Sequence, residues 1–463
     1  MTHDAWRTCG RLSLFACIAV LLFSACRLYR FSYFSRDDFN NLALAQYASA
    51  RVLAWDNIHP SANTYRPFGT TIYWACLHLF GLNAPAYHLL AWTLHALNVI
   101  VIFRILKYAS GSTYSAAVGS MLFVFHAATA DILFDFGTIF DLVAGFFFFL
   151  TVWIYLCARE SKAGMASICL IYFLANNTKE MAITLPFVLL LYELLVGRLL
   201  VIRNDAKKDS RPRWLPVAFF SLLAAIGLWF LLAKSSLIGT TPASDPYHMD
   251  FTGVTLGRGY GWYWNALYHT RLRWGGWMAF SFLLFCLLLL KRSRWGLFFL
   301  LYIFITLLPV VFLVNHRSAF YWYIPFLGLS GLVALAVKRL SAWARGEMTP
   351  RMAVIAGVVV FALGCRLHYQ QQKRLNQTRK EDVMALSAEY RSFLSGLRGI
   401  GEPGPDETIY YQSVPRDFEP VVTLAATQLA FRRTDLKAQI VDKFPPEARY
   451  RIRFEHGRVI AQK

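Results

Sequence analysis

Apolar residues fall in long blocks along most of this chain, and polar residues collect between them. The blocks lie near 12–30, 86–106, 113–127, 138–157, 165–178, 181–197, 214–233, 274–290, 295–314, 318–337 and 352–366. As helices, such runs are long enough to cross a hydrocarbon core of about 30 Å. The pattern predicts an all-α polytopic membrane protein of about eleven transmembrane helices. Residues 1–366 form this membrane core, with a long polar-rich loop at 31–85.

That loop has structure of its own. Asp38 to Ala50 mixes Phe39, Leu42, Ala43 and Tyr47 with Asn40 and Asn41, which suits a helix lying in the interface. Pro67 can open a second short helix through Leu79, because proline fits a first helical turn. The loop 234–273 is rich in aromatic residues (Tyr247, Tyr260, Trp262, Tyr263, Trp264), as interfacial segments are.

After 366 the pattern changes. Residues 370–397 are charged and helix-prone. Strands are predicted at 408–412 and 438–441, a helix at 420–431, and a hairpin of 450–454 with 459–461 around Glu455-His456-Gly457-Arg458. Residues 367–463 therefore read as a small soluble α/β domain. No 34-residue repeat is visible, which excludes tetratricopeptide repeats.

Composition changes the picture in three ways. With 57% hydrophobic and 16% charged residues and a mean hydropathy of +0.41, a soluble globular protein is excluded. The net charge of +20 would suggest nucleic acid in a soluble protein. Here the basic residues lie mainly in alternate short loops: Arg7/Arg11, Arg104/Lys107, Arg159/Lys162, Arg198 through Arg213, Lys291 through Arg294, and Lys338 through Arg351. They are topology signals and contacts to anionic lipid, and no nucleic-acid partner is expected. By the positive-inside rule the amino terminus is cytoplasmic, while the first loop, the loop 234–273 and the tail lie on the outer face. Arg7 and Arg11 before Leu12–Cys26 have the shape of a signal peptide, read as an uncleaved signal anchor. The eight cysteines form no CxxC and mostly sit in apolar runs, so neither a disulfide framework nor a zinc site is expected.

Charged groups at membrane depth are costly and therefore candidates for function. Asp37 and Asp38 can supply a general base and a neighbour that orients it, or can cap an interfacial helix. Arg66 can clamp a phosphate or meet a lipid headgroup. His126, Asp131, Asp135 and Asp141 gather around one turn; such oxygens suit a hard divalent cation, though capping of two helix ends is the plainer reading. His88 and His95 share a helix face with Trp92, where bonding between helices competes with catalysis. Lys179-Glu180 is either a self-neutralising pair or part of a site. In Asn315-His316-Arg317, Arg317 can snorkel or bind phosphate.

The order of these elements resembles the GT-C glycosyltransferases, particularly the protein O-mannosyltransferases and the transmembrane and tetratricopeptide-repeat O-mannosyltransferases. Their acidic pair in the first outer loop is matched by Asp37-Asp38, and their Tyr-Arg-Pro-Leu element by Tyr65-Arg66-Pro67-Phe68. A Gly-Leu-Asn…His…His pattern is matched by Gly81-Leu82-Asn83, His88 and His95. Their His-Pro-x-x-x-Glu turn corresponds to His126-Ala127…Asp131, with Asp141 following. Lys-Glu before an apolar run ending in Leu-Tyr-Glu corresponds to Lys179-Glu180…Leu191-Tyr192-Glu193. Their Arg…Tyr-Leu-Pro element resembles Arg317…Tyr323-Ile324-Pro325. Ala127 and Asp131 depart from the pattern, and the α/β tail replaces the repeats.

The resemblance, covering about two-thirds of the chain from Asp37 to Leu335, implies an enzyme of a bacterial inner membrane. It would transfer a sugar from a polyprenyl-phosphate donor to an acceptor on the outer face, with inversion, and contact membrane lipids. Asp37 would be the base and Asp38 its partner. Tyr65, Arg66, His88, His126, Asp131, Asp141, Lys179, Glu180, Arg317 and Tyr323 would contact substrate. No cofactor is implied beyond the divalent cation that the carboxylates suit. The rival class is a carrier, flippase or non-catalytic scaffold for lipid-linked saccharides, which needs phosphate contacts but no base.

Overall fold

A computed structural model describes residues 33–59, 66–126, 135–197, 214–234, 241–267, 293–347 and 385–462, with the single residues 132, 362 and 366. The predicted spans 12–30 and 274–290 lie outside the described residues, as does 352–366 apart from residues 362 and 366.

The first loop folds into three helices, α1 (Arg36–Tyr47), α2 (Ala50–Ile58) and α3 (Pro67–Phe80). Ser35 caps α1 through the amide of Asp38, and Ser49 caps α2 through that of Val52. The interfacial helix expected over 38–50 is thus broken at Ala48-Ser49, because serine there offers a new start. Pro67 opens α3 as expected, and Gly81 ends it.

The core follows. It comprises α4 (Ala84–Ser110), α5 (Thr113–Phe125), α6 (Ile139–Ala158), α7 (Lys162–Thr178), α8 (Leu185–Tyr192), α9 (Trp214–Ala233), α10 (Gly253–Leu267), α11 (Arg294–Val311) and α12 (Phe326–Glu347). Ser112, Ser161 and Ser293 cap α5, α7 and α11, and left-handed Gly111 ends α4. Among the described residues, Ala84–Ser110, Phe136–Ala158, Glu180–Gly197, Leu215–Ala233 and Arg294–Val311 are long and apolar enough to cross a bilayer. The chain is a membrane protein.

Two expected spans start or end differently. The run 181–197 opens with a tight turn over Glu180–Thr184 before Pro186 fits the first turn of α8, and it closes in a wider π turn over Glu193–Gly197. The run predicted at 318–337 does not become regular helix until Phe326. A separate short turn occupies Ala319–Trp322, since Pro325 disfavours helical backbone at the residue before it.

The tail is an α/β unit. A helix over 385–398 (α13) and α14 (Pro420–Phe431) accompany a sheet of β1 (Thr408–Tyr411), β2 (Lys437–Ile440), β3 (Tyr450–Glu455) and β4 (Arg458–Gln462), in the order β2-β1-β3-β4. β1 is parallel to β2 and β3, and β4 is antiparallel to β3. His456 and Gly457 both take positive φ between β3 and β4, the requirement of a tight hairpin turn. Ile409, Tyr411, Ile452 and Phe454 alternate into the core under the helices. One hydrophobic core runs from this unit into the membrane helices, joined at Phe39 of α1.

Candidate active site

The acidic pair separates into two unlike carboxylates. Asp38 is fully buried: one oxygen accepts the amide of Ser35 at 2.7 Å and the other the Tyr73 hydroxyl at 2.6 Å. Together with the Ser35 side chain this forms a reciprocal capping box. Burial pushes the Asp38 carboxyl up to about 8, with the nearby Asp135 charge adding to it and the Tyr73 and Ser35 bonds opposing it. Asp37, one residue earlier and so turned by about 100°, has a side chain 66% exposed. It is free of a capping duty and can meet a substrate hydroxyl.

Cationic groups converge from other elements. Arg66 sits at the start of α3, where its guanidinium stacks over Phe140 and grips Glu180 with two bonds, of 3.2 and 3.1 Å. Lys179 ends α7 in an extended conformation, and its ammonium meets Asp141 at 3.1 Å, with both side chains buried. Asp141 lies in the first turn of α6, where the helix dipole favours an anion. The Lys179 ammonium also faces the rings of Tyr321 and Phe320, at 5.1 and 5.5 Å. Burial, then the Arg66 charge, pulls the Lys179 amine down from its usual range, while Asp141 and Glu180 hold it up. Lys179 and Glu180 feel each other's charge, yet each makes its direct contact elsewhere, with Asp141 and with Arg66. Successive residues at a helix break point different ways, and each finds a partner on another element.

The same charges act on two outer-loop residues. His316 packs against Tyr247, ring centroids 5.1 Å apart. Burial and the charges of Lys179 and Arg66 lower the His316 imidazole, against Asp37 and Asp141. Burial raises the Tyr247 phenol, with Arg66, Glu180, Asp37 and Asp141 all within reach. Lys234, just past α9, feels Glu180 and Arg66, and burial brings its amine down to about 8. The charges of Asp37, Arg66 and Asp141 thus act on both Tyr247 and His316, with Lys179 and Glu180 adding to one each. This groups these residues near the start of α3, the start of α6 and the end of α7.

Two buried or half-buried cations, each paired with a carboxylate, thus stand near an exposed carboxylate that itself pairs with Arg36 at 3.7 Å. Comparison with solved structures gives the architecture around them. The chain is similar to ArnT from Cupriavidus metallidurans bound to undecaprenyl phosphate, with a TM-score of 0.53 and 14% identity over 92% of this chain and 85% of that one. It is similar to ArnT from the same organism in the apo state, with the same score and identity over 94% and 86%. ArnT is a GT-C glycosyltransferase. This chain has the GT-C fold. No protein-family model and no curated protein sequence matches it.

Within the GT-C fold the remaining expected site residues are scattered. His88 is buried on α4, its Nε2 at 3.1 Å from the Tyr33 carbonyl. Tyr323 meets His95 and Asn98 with its hydroxyl, both at 2.9 Å, so this group ties α4 to the segment before α12. His126 ends α5 and packs on Phe326 at 4.6 Å. Arg317 donates its Nε to the Leu313 carbonyl at 3.1 Å, and the neighbouring His316 feels the charges of Lys179, Arg66, Asp37 and Asp141. Tyr65 and Asp131 lie outside the described residues. The carboxylates expected around one turn divide their tasks: Asp135 caps the turn Phe136–Thr138 through the Gly137 amide, and Asp141 pairs with Lys179. Among the described residues no three His, Cys, Asp or Glu side chains are placed to hold a metal ion.

His316 and Tyr247 had no signal stronger than their position. His316 stood in the singled-out Asn315-His316-Arg317 stretch, where the arginine drew attention. Tyr247 was one aromatic residue among several.

Proposed function

We propose that this GT-C protein transfers a sugar from a polyprenyl-phosphate donor to a hydroxyl acceptor on the outer face of the membrane. The reading rests on one observation above the others: an exposed carboxylate, Asp37, lies within electrostatic reach of His316 together with Arg66 and Lys179, each cation held by a carboxylate of its own. In the reaction Asp37 accepts the acceptor's hydroxyl proton. The hydroxyl oxygen then bonds to the anomeric carbon as the bond from that carbon to the phosphate oxygen breaks. The electron pair leaves with the polyprenyl phosphate, whose growing charge Arg66 and Lys179 stabilise. Attack opposite the leaving group inverts the anomeric centre. Glu180 and Asp141 keep both cations in place beforehand, so little reorganisation accompanies charge development. That the bound ligand of the similar ArnT structure is undecaprenyl phosphate supports a polyprenyl phosphate as leaving group.

Purified protein in nanodiscs, given polyprenyl-phosphate sugars and an acceptor, should release polyprenyl phosphate together with a glycosylated product. Asp37→Asn should bind donor and lose transfer by about 10²–10⁴-fold, the usual worth of a positioned base. Donor binding without release by the natural protein would reject the enzyme reading and leave the carrier.

A further inference from the structure

The helix that carries Asp37 is held from two sides, and only one of them belongs to the membrane core. Arg36, Asp37, Asp38 and Phe39 form the first turn of α1, each about 100° from the last. Asp38 turns into the core and bonds to Tyr73. Phe39, about 100° further round, is fully buried against Phe418 and Tyr390 of the tail, with ring centroids 5.4 and 5.9 Å from its own. Both contacts are edge-on, the favourable geometry for aromatic rings. Phe418 is itself backed by Phe393 at 5.4 Å, and the Tyr390 hydroxyl donates to the Arg416 carbonyl. Arg36 reaches Glu419 at 3.0 Å, and Tyr47, at the far end of α1, donates to the carbonyl of Thr434.

These contacts differ in weight. The Arg36–Glu419 pair is largely exposed, side chains 46% and 67% accessible, and pairs of that kind contribute little. The buried aromatic cluster carries the docking. A helix of 12 residues is marginal by itself. Its direction is therefore set by what it packs against. With Asp38 tied to the core and Phe39 to the tail, the remaining acidic side chain of that turn, Asp37, has a set bearing.

We propose that the C-terminal unit clamps α1 and thereby positions Asp37, with Phe39 and Phe418 as positioning residues. The inference rests on the reading of Asp37 as the base. It assigns the tail a part in the transfer step, whatever further part it has in choosing an acceptor.

The test uses the full chain in nanodiscs and two variants, one on each side of the contact: Phe39→Ala and Phe418→Ala. Hydrogen exchange needs no substrate. Amides of residues 36–47 should exchange about tenfold faster in both variants, while those of 84–110 stay unchanged; unchanged exchange at 36–47 overturns the clamp. With donor and acceptor, kcat should fall by about 10–10²-fold, the scale of a misplaced reacting group, with the donor KM held within about twofold. Phe39→Leu should recover part of the loss. On an Asp37→Asn background, Phe418→Ala should cost almost nothing further, since it acts through Asp37. A full multiplicative loss there would make Phe418 a general stabiliser and overturn the proposal. Faster exchange in a protein that transfers no sugar would leave the clamp standing and reject the base instead.

Discussion

Asp38 is a buried carboxyl whose titration bears on stability. Its carboxyl stands at about 8 in the folded protein against an ordinary 3.8, because burial outweighs the bonds from Ser35 and Tyr73. Between those values the folded state binds the proton more tightly than the unfolded chain. The contribution of this group to stability is therefore complete below about pH 4 and is lost as pH rises through about 8. The melting temperature in detergent should fall between pH 5 and 8. Asp38→Asn mimics the protonated form: its amide oxygen can accept the Ser35 amide, and its NH₂ can donate to Tyr73. That variant should fold and show a flatter melting profile over the same range. An equally steep profile in the variant would place the titration elsewhere. The capping role of Asp38 was open to sequence reasoning, since serine three residues before an acid is a helix-start pattern. Which of two adjacent carboxylates would face the core was not.

At the level of elements, the core is held by close approach of helices. A Cβ on Gly119 of α5 would lie 2.6 Å from the Ser330 carbonyl oxygen of α12 and 3.1 Å from Ala334. The two backbones touch, in the manner of small-residue contacts between membrane helices. Gly119→Ala should cost about 1–3 kcal/mol through overpacking, seen as a lower melting temperature with the pH profile unchanged. Gly257 of α10, where a Cβ would meet nothing within 4 Å, serves as the control, and Gly257→Ala should be near neutral or slightly stabilising. Equal effects at the two glycines would contradict the contact.

For the whole molecule, the docking of the tail on α1 constrains topology. Arg36 touching Glu419 and Phe39 touching Phe418 require the first loop and the C-terminal unit to lie on one side of the membrane. Charge bias in the loops leads one to expect that side to be the outer one. Reporter fusions at Asn57 and Glu407 should therefore agree, and both should read outside. Opposite sides would contradict the fold itself, whereas both inside would contradict only the charge rule.

The division between sequence and tertiary structure follows sequence distance. Apolar run length, a serine or proline at a helix start and a tight-turn tetrapeptide are local signals. Hence α4, α6 and α11, and β1, α14 and the β3–β4 hairpin, were legible within a few residues. Charges at membrane depth were legible too, because their cost singles them out: Arg66, Asp141, Lys179 and Glu180 were all named from sequence. Their partnerships were not. Arg66 meets Glu180 across 114 residues, Lys179 meets Asp141 across 38, and Arg36 meets Glu419 across 383. No local pattern encodes such pairings, which arise only when packing brings helix ends together. The sequence by itself determined a GT-C-like membrane protein with an acidic pair and several charges at membrane depth. Tertiary structure alone decided that Asp38 is buried, that Asp37 is exposed, and that a domain at the far end of the chain packs on the helix that carries both.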